Sequence, residues 1–257
     1  MTGRAMTCLF SSAGLAALRE FIDAGTLLAF DLDGTLAPIV ADPGKIVIPD
    51  DVNRRLITLQ QMAPVAVITG RSRADALTHL GFTPAYLAGN HGAEGLPGHE
   101  GEEGGYVSLC SNWKKQLGTL LPDQEAAGIV LEDKGATLTL HYRNSENREQ
   151  AHGEILNAIA RLVPQPRSGS GKFVENIAPQ AAPHKGAAVL SIMAHLGCSR
   201  ALFVGDDETD EDVFRLDDAR IMGIRVGMNP SSASRYYLRD QNEIGELLER
   251  IRDAIAP

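Results

Sequence analysis

A chain of 257 residues, 44% hydrophobic and 22% charged, has room for one large or two modest folded domains and shows no compositional sign of disorder or low complexity. A net charge of −9 argues against nucleic acid or an anionic membrane as a partner, because either calls for a basic face. Cys8, Cys110 and Cys198 are odd in number and far apart and read as reduced thiols of a cytoplasmic protein, and no apolar run approaches the about 20 residues of a membrane span.

Leu15, Leu18, Phe21 and Ile22 recur at helical spacing and predict a helix over 12–23 that covers the first strand. Leu27-Leu28-Ala29-Phe30 predicts that strand as buried, and Asp31-Leu32-Asp33-Gly34-Thr35-Leu36 follows at its C-terminal end. Ligands bind at that end of the strands in open α/β sheets. Two aspartates one residue apart share a side while the chain is extended, and they repel unless a cation offsets them. Mg²⁺ suits such oxygens. The plainer alternative is an Asp-Gly turn carrying two solvated acids.

Pro38, Pro43, Gly44 and Pro49 predict an irregular loop, after which Asp50 or Asp51 is expected to cap a helix. Val65-Ala66-Val67-Ile68 predicts a second buried strand that runs into Thr69-Gly70-Arg71 and a Ser72/Asp75 capping box. A hydroxyl and free amides before a helix N-terminus form an anion site, although a plain strand-to-helix connection fits as well. Ala85 to Ala88 reads as a third strand leading into Gly89-Asn90-His91-Gly92-Ala93-Glu94, and the stretch from Gly95 to Gly105 reads as a linker.

The rhythm then changes. A helix over 112–121, strands over 129–132 and 137–142 joined by Asp133-Lys134-Gly135, a helix over 146–162 and a strand over 172–177 describe an inserted α+β unit with an antiparallel sheet. The parallel pattern resumes with His184-Lys185-Gly186 opening a helix, a strand over 201–204, a strand over 221–226 and a helix over 243–255. Six acids crowd the seven residues from Asp206 to Asp212. The fold expected is therefore α/β, a doubly wound, mainly parallel sheet of Rossmann-like type, divided as core (1–104), cap (105–183) and core (184–257).

Together the loops offer the set that phosphate-monoester chemistry needs, where positioning and neutralising charge do most of the work. Asp31 is the expected nucleophile, Asp33 the acid and base, and Lys185 the balancing charge. Thr69, Gly70 and Arg71 are expected to bind phosphate, and Asp31, Asp33 through its carbonyl, Asp206 and Asp207 to hold Mg²⁺.

Asp31-Leu32-Asp33-Gly34-Thr35, Thr69-Gly70-Arg71, Lys185-Gly186 and Gly205-Asp206-Asp207-Glu208-Thr209-Asp210-Glu211 resemble, in order, the four motifs of the haloacid-dehalogenase-type phosphatases. More narrowly, Gly89-Asn90-His91-Gly92-Ala93-Glu94 and Leu131-Glu132-Asp133-Lys134-Gly135 with His141-Tyr142-Arg143 resemble the trehalose-6-phosphate phosphatase family with its larger, type IIB lid. The resemblance implies Mg²⁺-dependent hydrolysis of trehalose 6-phosphate under a closing lid, with Asn90, His91, Glu132, Lys134, His141, Lys172 and Asn176 on the substrate; a monomer is expected, on no sequence signal of its own. One stretch departs from the family pattern. After Gly171-Lys172, Asn176 and Ala178 stand where that family usually has Glu and then Arg or Lys, so either the register slips to Glu175 or an amide makes the sugar contact. A phosphatase of another sugar phosphate shares the same core. A receiver-type signalling module would have no use for Asp33 or the insert, and a silent sugar-phosphate sensor would not need these acids.

Overall fold

The structure is a computed structural model that describes residues 6–40, 42–171 and 173–256. Two compact units divide the chain, one formed by the stretches up to Pro97 and from His184, the other by Gly98–Pro183.

In the first unit the elements run β1 (Thr7–Cys8), α1 (Ser12–Phe21), β2 (Thr26–Phe30), α2 (Asp50–Gln60), β3 (Val65–Ile68), α3 (Arg73–His79) and β4 (Tyr86–Ala88). In the second unit they are α4 (Glu103–Leu120), β5 (Val130–Asp133), β6 (Leu138–His141), α5 (Arg148–Ile159), β7 (Arg167–Gly171) and β8 (Val174–Ala178). The chain then returns through α6 (Lys185–Leu196), β9 (Arg200–Gly205), α7 (Glu211–Phe214), β10 (Ile221–Val226), β11 (Tyr236–Leu238) and α8 (Ile244–Ile255).

The first unit's described residues form a seven-stranded sheet in the order β1-β11-β10-β9-β2-β3-β4, parallel throughout. Alternation along the strands divides the core in two. Leu28, Phe30, Val65 and Val67 pack with Leu18, Leu56 and Leu248 of α1, α2 and α8, while Leu27, Ala29, Ala66 and Ile68 pack with Val189, Ile192 and Val213 of α6 and α7. Both faces are covered, as the continuous apolar runs of β2, β3 and β9 require. This puts the C-terminal ends of β2, β3, β4 and β9 side by side. Pro49, rather than Asp50 or Asp51, occupies the N-cap of α2, and both acids lie in its first turn, where the helix dipole favours them.

The second unit is an antiparallel sheet in the order β5-β6-β8-β7 whose Leu138, Leu140 and Ile177 pack on Trp113 and Leu117 of α4 and Ile155 and Ile159 of α5. Three features here differ from the sequence reading. The unit starts at Gly98, ahead of the expected 105. Helix α4 begins at Glu103, because Gly104 and Gly105, read as linker, are taken into its first turn. Strand β7, Arg-Ser-Gly-Ser-Gly, has no β-forming side chain and is held as an edge strand by its ladder to β8. Among the described residues no helix is long and apolar enough to cross a membrane.

Candidate active site

The site in the first unit is built from strand ends. Asp31 follows β2 directly and is 4% exposed, with its backbone N–H donated to the Val204 carbonyl of β9 at 2.9 Å. Asp206 follows β9, so the pairing of β2 with β9 brings the two loops together. Gly34, at φ +82°, makes the close approach possible: a Cβ there would stand 2.1 Å from the Asp206 carboxylate. Thr35 donates its hydroxyl to Asp206 Oδ1 at 3.3 Å.

Lys185 is the first residue of α6, with His184 as its N-cap. Its side chain is buried, and Nζ lies 2.9 Å from Asp31 Oδ1 and 2.7 Å from Asp210 Oδ1. Burial works against this charge, but Asp210 and Asp31 outweigh it and hold the pKa above the ordinary lysine value. The acids respond in the opposite sense. Burial pushes the Asp31 pKa well up, Lys185 opposes that, and Asp210 and Asp206 add to it. Asp206 is pushed up to about 7 by burial and by Asp210, with Lys185 again opposing.

Asp31, Asp206 and Asp210 can each turn one oxygen into a common group in which the ligand atoms lie within 4.8 Å of one another. An all-carboxylate donor set of this kind fits a hard, oxygen-seeking cation such as Mg²⁺. Asp210 was not singled out by sequence reasoning, which took Asp207 instead. Asp207 is exposed and caps the short helix over 208–210 through Glu208 N–H at 2.7 Å, while Asp210 is fully buried and accepts from Asp207 N–H at 2.8 Å. The available signal was spacing: Asp210 stands one helical turn beyond Asp206, and Gly205 leaves room for its carboxylate, which a Cβ would meet at 2.3 Å.

Asp33 points elsewhere. The Arg71 guanidinium grips both of its oxygens, Nε to Oδ2 and Nη2 to Oδ1, each at 2.7 Å, and Nη1 reaches Asp75 at 2.6 Å. This fork–fork pair is the strong form of an arginine–carboxylate contact. Asp75 therefore serves Arg71, while Ser72 alone caps α3. Thr69 is fully buried, its Oγ1 accepting from Arg71 N–H at 3.2 Å. Asn90 and His91 carry φ of 50° and 59°, and His91 N–H donates to the Thr69 carbonyl at 2.8 Å. A Cβ on Gly70 would meet the His91 ring at 2.4 Å, so this glycine lets the two loops interlock. Asn90 is buried and braces the loop, its amide donating to Glu94 at 3.0 Å.

The second unit gathers the other expected residues on the sheet face away from its helices. Glu132, Thr139, Asn176 and Gly169 are successive cross-strand partners. His141 Nε2 lies 2.7 Å and Lys134 Nζ 3.7 Å from Glu132 Oε2, and Thr139 donates to Asn176 Oδ1 at 2.7 Å. The register puts residues 175 and 176 on opposite faces. Glu175 pairs with Leu140 on the helix-covered face, 1% exposed and 2.8 Å from His152 of α5, so Asn176 is the one on the open face. Lys172 lies outside the described residues.

The sequence model of the trehalose-phosphatase family matches residues 29–240, which spans all these elements except the ends. Among curated proteins, a probable trehalose-phosphate phosphatase G of Arabidopsis thaliana is 27% identical over 252 residues, covering 86% of this chain and 67% of that protein. A probable trehalose-phosphate phosphatase 9 of Oryza sativa subsp. japonica is 29% identical, covering 86% of this chain and 68% of that protein. The chain thus spans about two thirds of the length of these relatives. Among solved structures, the C-terminal domain of the C. albicans trehalose-6-phosphate phosphatase superposes with a TM-score of 0.74 at 20% identity, covering 99% of this chain and 100% of that one, which establishes the shared fold. A trehalose-6-phosphate phosphatase related protein gives a TM-score of 0.71 at 19% identity, over 89% of this chain and 97% of that one. With four strand-end motifs assembled and more than half its length matched by that model, the chain belongs to the trehalose-phosphatase family.

Proposed function

We propose that the protein hydrolyses trehalose 6-phosphate to trehalose and phosphate through a phosphorylated Asp31. The observation that carries this reading is the buried Lys185 held between Asp31 and Asp210, a cation placed to keep one carboxylate ionised against the pull of its acidic neighbours. An Asp31 oxygen attacks phosphorus while the bond from phosphorus to the sugar oxygen breaks, and Asp33, turned away from Arg71 and protonated, gives that oxygen its proton. Water then attacks the same phosphorus, Asp33 takes up its proton, phosphate leaves, and the Asp31 carboxylate is restored. Thr69, Gly70 and the amides around them receive the phosphoryl oxygens. Asp31, Asp206 and Asp210 would hold Mg²⁺, with Asp33 offering only its backbone carbonyl and Asp207 acting as the helix cap. Bound there, Mg²⁺ supplies the positive charge that lets these acids ionise together and offsets the phosphate.

For recognition of the sugar, the reading assigns the open sheet face of the second unit, Glu132, Lys134, His141 and Asn176, with Lys172 beside it in sequence. Asn90 and His91 shape the phosphate loop. The substrate is a small sugar phosphate, the free thiols support a cytoplasmic setting, and the protein is read as a monomer. A phosphate-release screen over trehalose 6-phosphate, sucrose 6-phosphate, glucose 6-phosphate and glucosylglycerol phosphate tests the assignment. Trehalose 6-phosphate is expected to give the highest kcat/KM, and a preference of tenfold or more for another sugar phosphate overturns the substrate while leaving the chemistry.

Two further results are expected. Asp33→Asn slows hydrolysis of the sugar phosphate by about 10²–10⁴-fold, the usual worth of a positioned acid. The first-turnover burst of nitrophenolate from p-nitrophenyl phosphate, whose leaving group needs no proton, should survive the change, because only the later water step then calls on Asp33; a burst slowed as much as sugar-phosphate cleavage would remove Asp33 as the leaving-group acid. Mg²⁺ binding is expected to strengthen with pH. The Asp206 pKa stands at about 7, so below that pH a cation must displace a proton, and above it the carboxylate is already ionised. The rise in Tm on adding Mg²⁺ should therefore be larger at pH 8 than at pH 6, and a rise independent of pH would contradict the acid cluster as the site.

A further inference from the structure

Arg225 lies on β10, the strand next to β9, and plays no part in the steps above. Its side chain is 9% exposed, yet both terminal nitrogens of its guanidinium are engaged. Nη2 donates to the backbone carbonyl of Asp206 at 2.5 Å, and Nη1 to that of Asp207 at 3.2 Å. Nη1 also donates to Glu211 Oε1 at 3.0 Å. Glu211 is itself 2% exposed, and its carboxylate accepts from Ser232 Oγ at 2.5 Å and from Ala233 N–H at 2.9 Å.

We propose that Arg225, anchored by Glu211, is a positioning residue for the cation site, fixing the Asp206 backbone so that its carboxylate meets those of Asp31 and Asp210. The inference rests on reading these three acids as the Mg²⁺ ligands. Asp206 is where the chain leaves the β9 ladder, so its carbonyl needs another partner, while that of Asp207 accepts from Asp210 N–H at 3.3 Å as well as from Arg225. A planar fork can hold two carbonyls and a carboxylate at once, which a lysine ammonium on a flexible stem does less well. The far end of Asp206 is limited by the Gly34 backbone and the Thr35 hydroxyl. With the main chain held behind and the carboxylate confined in front, Asp206 keeps one orientation. A buried ion pair contributes little net stability compared with apolar residues of like volume, so stability alone gives no reason for burying Arg225 and Glu211. What they hold does.

The test is calorimetric titration of the metal-free full chain with Mg²⁺, alongside the Tm of the metal-free protein. Arg225→Met alone would strand the Glu211 carboxylate, so the variants are Arg225→Lys and the charge-neutral double change Arg225→Met with Glu211→Leu. Loss of partners behind a ligand typically weakens metal binding by about 10–100-fold, and that is the fall expected for the double variant, with a smaller one for Arg225→Lys. A merely structural role would lower the Tm and leave the binding constant unmoved. Parental Mg²⁺ affinity in either folded variant overturns the inference. Failure of the parent itself to bind Mg²⁺ overturns the reading of the acids, and the inference with it.

Discussion

Asp31→Asn is expected to reduce turnover of any phosphate monoester by at least about a thousandfold, because substitutions of catalytic nucleophiles in other enzymes cost that much or more. The amide is close to the carboxylate in size but is neutral, and its oxygen is a poor nucleophile toward phosphorus. The fold should survive. Asp31 is one of three acids crowded within ligand distance, and its neutralisation removes repulsion from Asp206 and Asp210 while Lys185 keeps Asp210 at 2.7 Å. Phosphate release measured beside the melting curve separates the cases: lost turnover with a Tm within a few degrees of the parent supports the nucleophile, and near-parental turnover refutes it. Mass spectrometry of the parent quenched in acid during turnover should also find phosphate on Asp31, and none on the variant.

Much of this architecture was legible because its strands are buried on both faces. Continuous apolar runs mark β2, β3 and β9 within a residue or so, and chemistry-bearing residues stand immediately after all three. What was not legible had no local signal. Thr7–Cys8 is too short to show a period, and β7 owes its conformation to the hydrogen bonds of β8 rather than to its own residues. Which of the crowded acids face one another was hidden for a different reason. In a run of six, composition cannot tell which carboxylates turn inward, and here helical geometry sends Asp210 inward and leaves Asp207 at the surface. Arg71 shows the same limit, since a basic residue beside a phosphate loop reads as a phosphate ligand and only the coordinates pair it with Asp33. Arg225 and Glu211 could not be matched from sequence at all, being joined by strand order rather than by a motif.

Lys185→Met should be the most damaging single change in the first unit for both stability and activity. Methionine fills much the same volume, so packing alone predicts a small effect. Charge predicts a large one. Without the ammonium, Asp31 and fully buried Asp210 face each other and Asp206 with no cation between them, and breaking a buried pair from one side costs about 3–5 kcal/mol. The pH dependence follows from the raised pKa values of Asp31 and Asp206. Carboxylates whose folded pKa lies above the unfolded value cost nothing at low pH, where both states are protonated. The cost accumulates as pH rises past the unfolded value near 4, because the unfolded chain then gives up protons that the folded one retains. Removing Lys185 lifts those folded values further, so the loss in Tm should be larger at pH 8 than at pH 5. Adding Asp210→Asn should recover part of the stability by relieving one buried acid, but not turnover, since neither substitution returns a positive charge to Asp31. A Lys185→Met protein as stable as the parent at pH 8, or one that still hydrolyses the sugar phosphate at a comparable rate, would mean that the ammonium between Asp31 and Asp210 neither balances the acids nor serves the reaction.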